Sequence, residues 1–456
     1  MERPLSLTDL PHELVTQIVS HLCPANGVRG VRYQWTLSQL TQTCKGFKEL
    51  FQPMLFRSYT YNEQPISHFV KFLRAIASRP DLAAAVTHLS FRYPPDATDL
   101  TITDKDFIDT CVTSLGLPLP PKDWHIEGTD RTIPIQTVIA YASCNLESLS
   151  LPVNEEWDLA LLPSFSKASP KITFPRLKRL SIDYYYISGD QWAIAYNEIA
   201  PLLEASSNLE HLSLPTLERF WEHRGNCRVP KMKSLKTLNL SQSSSGMFFV
   251  TSIIRSCESL QSFELNWGTS SGYDESHEGW SVVNIWDALV HVRRTIQEIT
   301  FESILDIPLG NPTANSVSSL LEFTDLKILR VDGRSFEGMF QAWTLKTRSS
   351  DMDQFVAQLL PTRIQSLTIW APSFTLIPAL FALARGKSSG LYEGLTTVEI
   401  GASTAFKHWL PRSEWLSNQT ELRDEFERAG VQVKMDIPYV PPEMLEFALP
   451  WGGFIG

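Results

Sequence analysis

Leu209-Glu-His-Leu-Ser-Leu214, followed 26 residues later by Leu235-Lys-Thr-Leu-Asn-Leu240, decides how the chain reads. Both segments carry apolar residues at their first, fourth and sixth positions. The last two are two residues apart, which puts their side chains on one face of a strand, while the first feeds the turn into it. Eight more segments follow the pattern: Val86–Phe91, Leu146–Leu151, Leu177–Ile182, Leu260–Leu265, Ile296–Phe301, Leu326–Val331, Ile364–Ile369 and Leu395–Ile400. Ten copies in one chain mark an internal repeat. From Leu146 onward the copies begin 25 to 38 residues apart, so insertions fall between strands.

Helical spacing fills the intervals at Asp190–Ala205, Phe248–Ser256, Val282–Arg293, Ser316–Phe323 and Met352–Leu360. Each repeat therefore reads as one short strand and one helix. Such a unit cannot bury its apolar face alone, whereas stacked neighbours share a continuous core. The expected fold class is α/β, with parallel strands lining the inside of a curved stack and helices outside. The pattern resembles a leucine-rich repeat over about residues 80–436, although the asparagine expected three residues after the last apolar position is mostly missing. The interval from Val86 to Leu146 is 60 residues long, with helical spacing near Asp104–Leu115 and Ile133–Tyr141, and leaves room for a further, divergent repeat. A helix at Ser413–Ala429 and a strand at Val431–Met435 would cap the open end.

The first 58 residues are a separate helical unit, followed by a solenoid over 59–436 and a Pro/aromatic tail over 437–456. Leu14, Val15, Ile18, Val19 and Leu22 follow helical spacing after Leu10-Pro11, where proline suits a first turn. Leu37, Leu40, Cys44, Phe47 and Phe51 also advance by three or four. Two or three short helices bury little surface, so some of these side chains should face outward to a partner. Leu5 to Leu22, with Thr43-Cys-Lys-Gly-Phe47 and Leu55-Phe56-Arg57, resembles an F-box, especially its filamentous-fungal form. That resemblance implies docking on a Skp-type adaptor, and through it on a cullin–RING ubiquitin ligase, by Leu10, Pro11, Leu14, Ile18, Leu22 and Leu40. Cys44 and Phe47 would pack inside. The segment Pro24–Trp35 is longer than the usual turn between the first two helices of that family.

Composition narrows the function. With 40 Lys and Arg against 50 Asp and Glu the formal charge is −10, and no basic run appears, which argues against a phosphate-backbone binder and so against nucleic acid as partner. Six scattered cysteines lack the dense spacing of a disulfide scaffold. No stretch is long and apolar enough to span a membrane and no signal peptide opens the chain, so the expected compartment is cytoplasm or nucleus. Gly268-Thr-Ser-Ser-Gly272 fits a nucleophile-elbow pattern but runs into a polar loop instead of a helix, leaving hydrolysis through Ser270 a remote reading. His223 and Cys227 are too few for a zinc site. No cofactor, metal site or catalytic constellation is expected, and the chain reads as a non-enzymatic subunit.

In the last five copies the residues alternating with the apolar ones are mainly acidic. Glu264, Glu298, Glu302, Asp332 and Glu399 face one cation, Arg330, with Trp370 as an aromatic anchor. Such a wall favours a target protein with a basic segment. A substrate receptor of a ubiquitin ligase is the expected function, and a repeat scaffold without any ligase is the alternative.

Overall fold

The computed structural model describes residues 11–21, 31–62, 65–91, 100–117, 135–153, 172–184, 202–214, 229–240, 247–267, 282–303, 319–348, 350–370, 376–401 and 413–436. The chain forms two compact units, one of residues 1–187 with 197–209, the other of residues 188–196 with 210–456.

The first unit begins with three helices, α1 (His12–His21), α2 (Val31–Thr43) and α3 (Lys45–Phe56). Helix α2 starts inside the segment read as a long turn, so that connection is shorter than expected. Strand β1 (Ser58–Tyr61) follows with one residue between, then α4 (Ile66–Ser78), α5 (Pro80–Ala85), β2 (His88–Phe91), α6 (Ile102–Ser114), α7 (Ile135–Ala142), β3 (Ser148–Val153) and β4 (Arg179–Tyr184). The four strands are parallel and lie in chain order. Because β2 pairs directly with β3, no additional strand sits between them, and the 60-residue interval holds helices instead of a hidden repeat.

The second unit contains β5 (His211–Leu214), β6 (Thr237–Leu240), α8 (Met247–Ser256), β7 (Ser262–Trp267), α9 (Val282–Leu289), β8 (Glu298–Ser303), β9 (Ile328–Asp332) and α10 (Gly333–Thr347). It continues with α11 (Met352–Ala357), β10 (Ser366–Trp370), α12 (Ile377–Ser388), β11 (Thr397–Gly401), α13 (Ser413–Arg428) and β12 (Gln432–Asp436). All eight strands are parallel, each paired with its successor. The helix expected at Ser316–Phe323 is not formed over its described residues, where the backbone turns at Leu321–Glu322. Only the last residues of the expected Asp190–Ala205 helix lie among the described ones.

Two backbone features make these strands one repeated object. The carbonyl before most of the described strands accepts two successive N–H groups from the same register of the next: Gln261 O from Gln297 N and Glu298 N at 2.7 and 3.0 Å, Lys327 O from Gln365 N and Ser366 N at 2.7 and 3.0 Å. Arg57 O does the same for Thr87 and His88, so β1 belongs to the ladder, with the aromatics Phe56, Tyr59 and Tyr61 at the first, fourth and sixth positions. The residue before each first apolar position often reaches back to an earlier repeat. Asn145 Nδ2 donates to Ala84 O at 2.8 Å, Asn208 Nδ2 to Pro175 O at 2.7 Å, Ser259 Oγ to Lys233 O at 2.7 Å and Thr295 Oγ1 to Leu260 O at 2.8 Å. These side chains give the turn carbonyls they reach a hydrogen-bond partner from the following repeat.

Every first, fourth and sixth position of the ten triplets is buried. In register they form apolar ladders, such as Leu238–Phe263–Ile299–Leu329–Leu367–Val398. At about 25 cal/mol per Å² of apolar area, this burial is the main stabilising term of each unit.

Candidate partner-binding surfaces

Val15, Leu37 and Phe51, one from each of α1, α2 and α3, form a small buried cluster. Leu40, Phe47, Leu50, Met54 and Leu55 pack around it, and the Phe47 and Phe51 rings lie 5.3 Å apart. Three short helices supply little else to bury, so α1 keeps one apolar stripe outside: Leu14 and Ile18 are 46% and 43% exposed, one helical turn apart. Pro11 is exposed beside them, and its carbonyl accepts the N–H of Leu14 at 3.0 Å to start the helix. The structure thus brings Pro11, Leu14 and Ile18 together. Leu40 instead packs on the cluster, while Leu10 and Leu22 lie outside the described residues.

Cys44 departs from expectation. It is exposed, and its Sγ accepts the N–H of Phe47 at 3.5 Å as the cap of α3. The chain breaks its helical path between α2 and α3 at this residue, which turns the thiol away from the core. The helical unit then runs straight into the first strand: Phe56 stacks on Phe72 at 5.6 Å, and Tyr59 stacks on the same ring at 3.9 Å. Burial of Tyr59 pushes its hydroxyl far above the ordinary tyrosine value.

In the second unit the alternating positions of β7 to β12 share one outward face, as the strand period requires. The expected acidic wall is partly neutralised there. Arg330 binds Glu298 and donates to Thr300 Oγ1 at 3.3 Å; Lys434, on the capping strand, binds Glu399 at 2.6 Å. Glu264 accepts two amide N–H bonds, from Asn239 and Asn266, each at 2.9 Å. Asp332 is only 4% exposed and presents almost no surface to a partner. Trp370 is half-buried in register between Asp332 and Gly401, where the absent side chain leaves its indole room. Glu302 is half-buried beside Asn266. Sequence reasoning placed Asn266 on this face but missed Asn239 and Lys434, whose signal was position alone, the same alternating register as the carboxylates they hold.

No reacting constellation appears among the described residues, and no group of His, Cys, Asp and Glu there could hold a metal ion. His223, Cys227 and Ser270 lie outside the described residues. Burial pushes the Cys257 thiol up to about 12 and raises that of Cys111, which leaves both poor nucleophiles. No described helix is long and apolar enough to cross a membrane. No protein-family model matches the chain, and no curated protein matches it in sequence.

Proposed function

We propose that the chain is the substrate-recognition subunit of a Skp–cullin–F-box ubiquitin ligase, with α1 to α3 docking on a Skp-type adaptor and the strand faces holding a target protein. The observation that carries this reading is the exposed pair Leu14 and Ile18 beside Pro11, on a helix whose Val15 is buried in the small core. Two aliphatic side chains held on a helix face are what a groove on a helical partner would cover. The chain would supply no reacting group, and ubiquitin transfer would rest on holding the target close to machinery carried by other subunits. The second-unit face supports a target with a basic segment less strongly than its carboxylate count suggests, because Glu298 and Glu399 already have cations. Glu302 and Trp370 are its best-placed contacts.

Co-purification with a Skp-type adaptor tests the reading. Wild-type chain should co-elute with the adaptor, and Leu14→Asp with Ile18→Asp should weaken the complex roughly a hundredfold while circular dichroism stays unchanged. Failure of the wild-type chain to co-elute, with the same target binding retained, would leave a ligase-independent scaffold.

A further inference from the structure

The ladder of the second unit reaches β12 with part of its apolar layer less covered than anywhere earlier in the same columns. Val433 and Met435 extend the inward columns of β11, in register with Val398 and Ile400. Val398 and Ile400 are 1% and 0% exposed, whereas Val433 and Met435 are only half-buried. The helix layer is better finished at this end. Helix α13 buries Leu422 and Phe426 and turns Arg423, Asp424 and Glu427 to solvent, the polar outer face that a terminal repeat needs. Beside β12 the sheet has no matching finish among the described residues.

The order of the repeat says what should come next. Among the described residues β6, β7, β9, β10 and β11 are each followed by a helix. After β12 the sequence continues through residues 437–456, where Glu443 and Glu446 are the only charged side chains. Pro441-Pro442 there precede Met444, which is followed at three and four residues by Phe447 and Ala448, the spacing of one helix face, and then by Trp451 and Phe454.

We propose that residues 443–455 fold back over the end of the sheet and close it, with Met444, Phe447 and Trp451 packing on Val433 and Met435. The apolar character of both partners and the position of this segment directly after β12 select the occupant. A short connection brings it to the site, so it avoids the cost in translational and rotational freedom that a separate protein would bear on covering the same residues. The inference stands apart from the ligase reading, because it concerns the end of the second unit and needs no adaptor.

Full chain carrying photo-methionine tests it. Irradiation should link Met435 to residues 445–455 of the same chain, in the monomer fraction. In ordinary full chain, Phe447→Asp with Trp451→Asp should speed oxidation of Met435 by hydrogen peroxide, read by peptide mapping, by roughly threefold or more, while Glu446→Gln leaves the rate unchanged. Equal oxidation of Met435 in wild type and the double variant, or no link from Met435 to that segment, would overturn the proposal. Links from Met435 to a second copy of the chain, in a dimer fraction, would overturn the choice of occupant.

Discussion

Gly394 and Gly46 show what a single residue position demands. A Cβ on Gly394 would sit 2.9 Å from the carbonyl oxygen of Ile364 and 3.4 Å from that of Thr362, backbone atoms that cannot move without shifting the neighbouring turn. Gly394 occupies the position before a first apolar residue, where Asn145, Asn208, Ser259 and Thr295 each reach an earlier carbonyl with a side chain. Here the backbone itself has come close. Gly46 lies in the first turn of α3 with nothing within 4 Å. Urea denaturation should therefore show Gly394→Ala losing about 1–3 kcal/mol and Gly46→Ala unchanged or gaining up to about 1 kcal/mol. Equal effects would mean that the close approach is not what requires glycine. The same scale explains Cys44: helical spacing with Leu37, Leu40 and Phe51 placed it in the core, but spacing cannot register that the helix breaks there and takes the thiol as a cap.

At the scale of elements, α6 is tied to α4 by charge. Asp104 accepts from Thr101 Oγ1 at 2.6 Å and pairs with Arg74 at 2.9 Å, while the Arg74 guanidinium also lies over Phe107, 4.6 Å from its ring centre. The Thr101 hydroxyl first, and then Arg74, hold the Asp104 carboxyl below its ordinary value. A folded-state value depressed in this way contributes stability that is present above the unfolded value of about 3.9 and lost as pH falls through the folded one. Asp104→Asn should consequently lower stability at pH 7 and flatten its fall on the acid side, as read from urea midpoints between pH 7 and pH 3. A parallel acid limb in both proteins would exclude this contribution. The strands make a second contrast. Val331 lies fully inside the ladder, whereas Val433 on the capping strand is only half-buried, with one strand neighbour among the described residues. Val331→Ala should cost about 2 kcal/mol or more and Val433→Ala about half of that, in the same denaturation assay. Helices were less legible than strands. Six of the twelve residues of α12 are buried aliphatics, so no polar face marks its period, and Leu376–Ala384 reads only as an apolar run.

For the molecule as a whole, each unit carries its own buried thiol, Cys111 in the first and Cys257 in the second, while Cys44 and Cys144 are exposed. Alkylation of the native chain followed by peptide mapping should modify Cys44 and Cys144 and spare the two buried thiols. In rising urea, Cys111 and Cys257 should react only as their own unit opens, so their midpoints measure the two units separately. Labelling of Cys257 in buffer as fast as Cys44 would show that its core is open.

The order of the ten triplet strands and the identity of their buried positions followed from the sequence alone, because a triplet of apolar residues is a local statement: two-residue spacing selects a face and recurrence supplies the neighbour that covers it; strand β1 came only from the structure. Which outward residues remain available to a partner was decided only by tertiary structure. Glu298 meets Arg330 from 32 residues away and Arg179 reaches His88 across 91, with insertions of unequal length between them. No local pattern reports such meetings, since they depend on which strands become neighbours and on how small the side chain between them is. The exposure of Leu14 and Ile18 has the same origin: helical spacing groups them with Val15, and only the size of the core that α2 and α3 supply determines which of the three is covered.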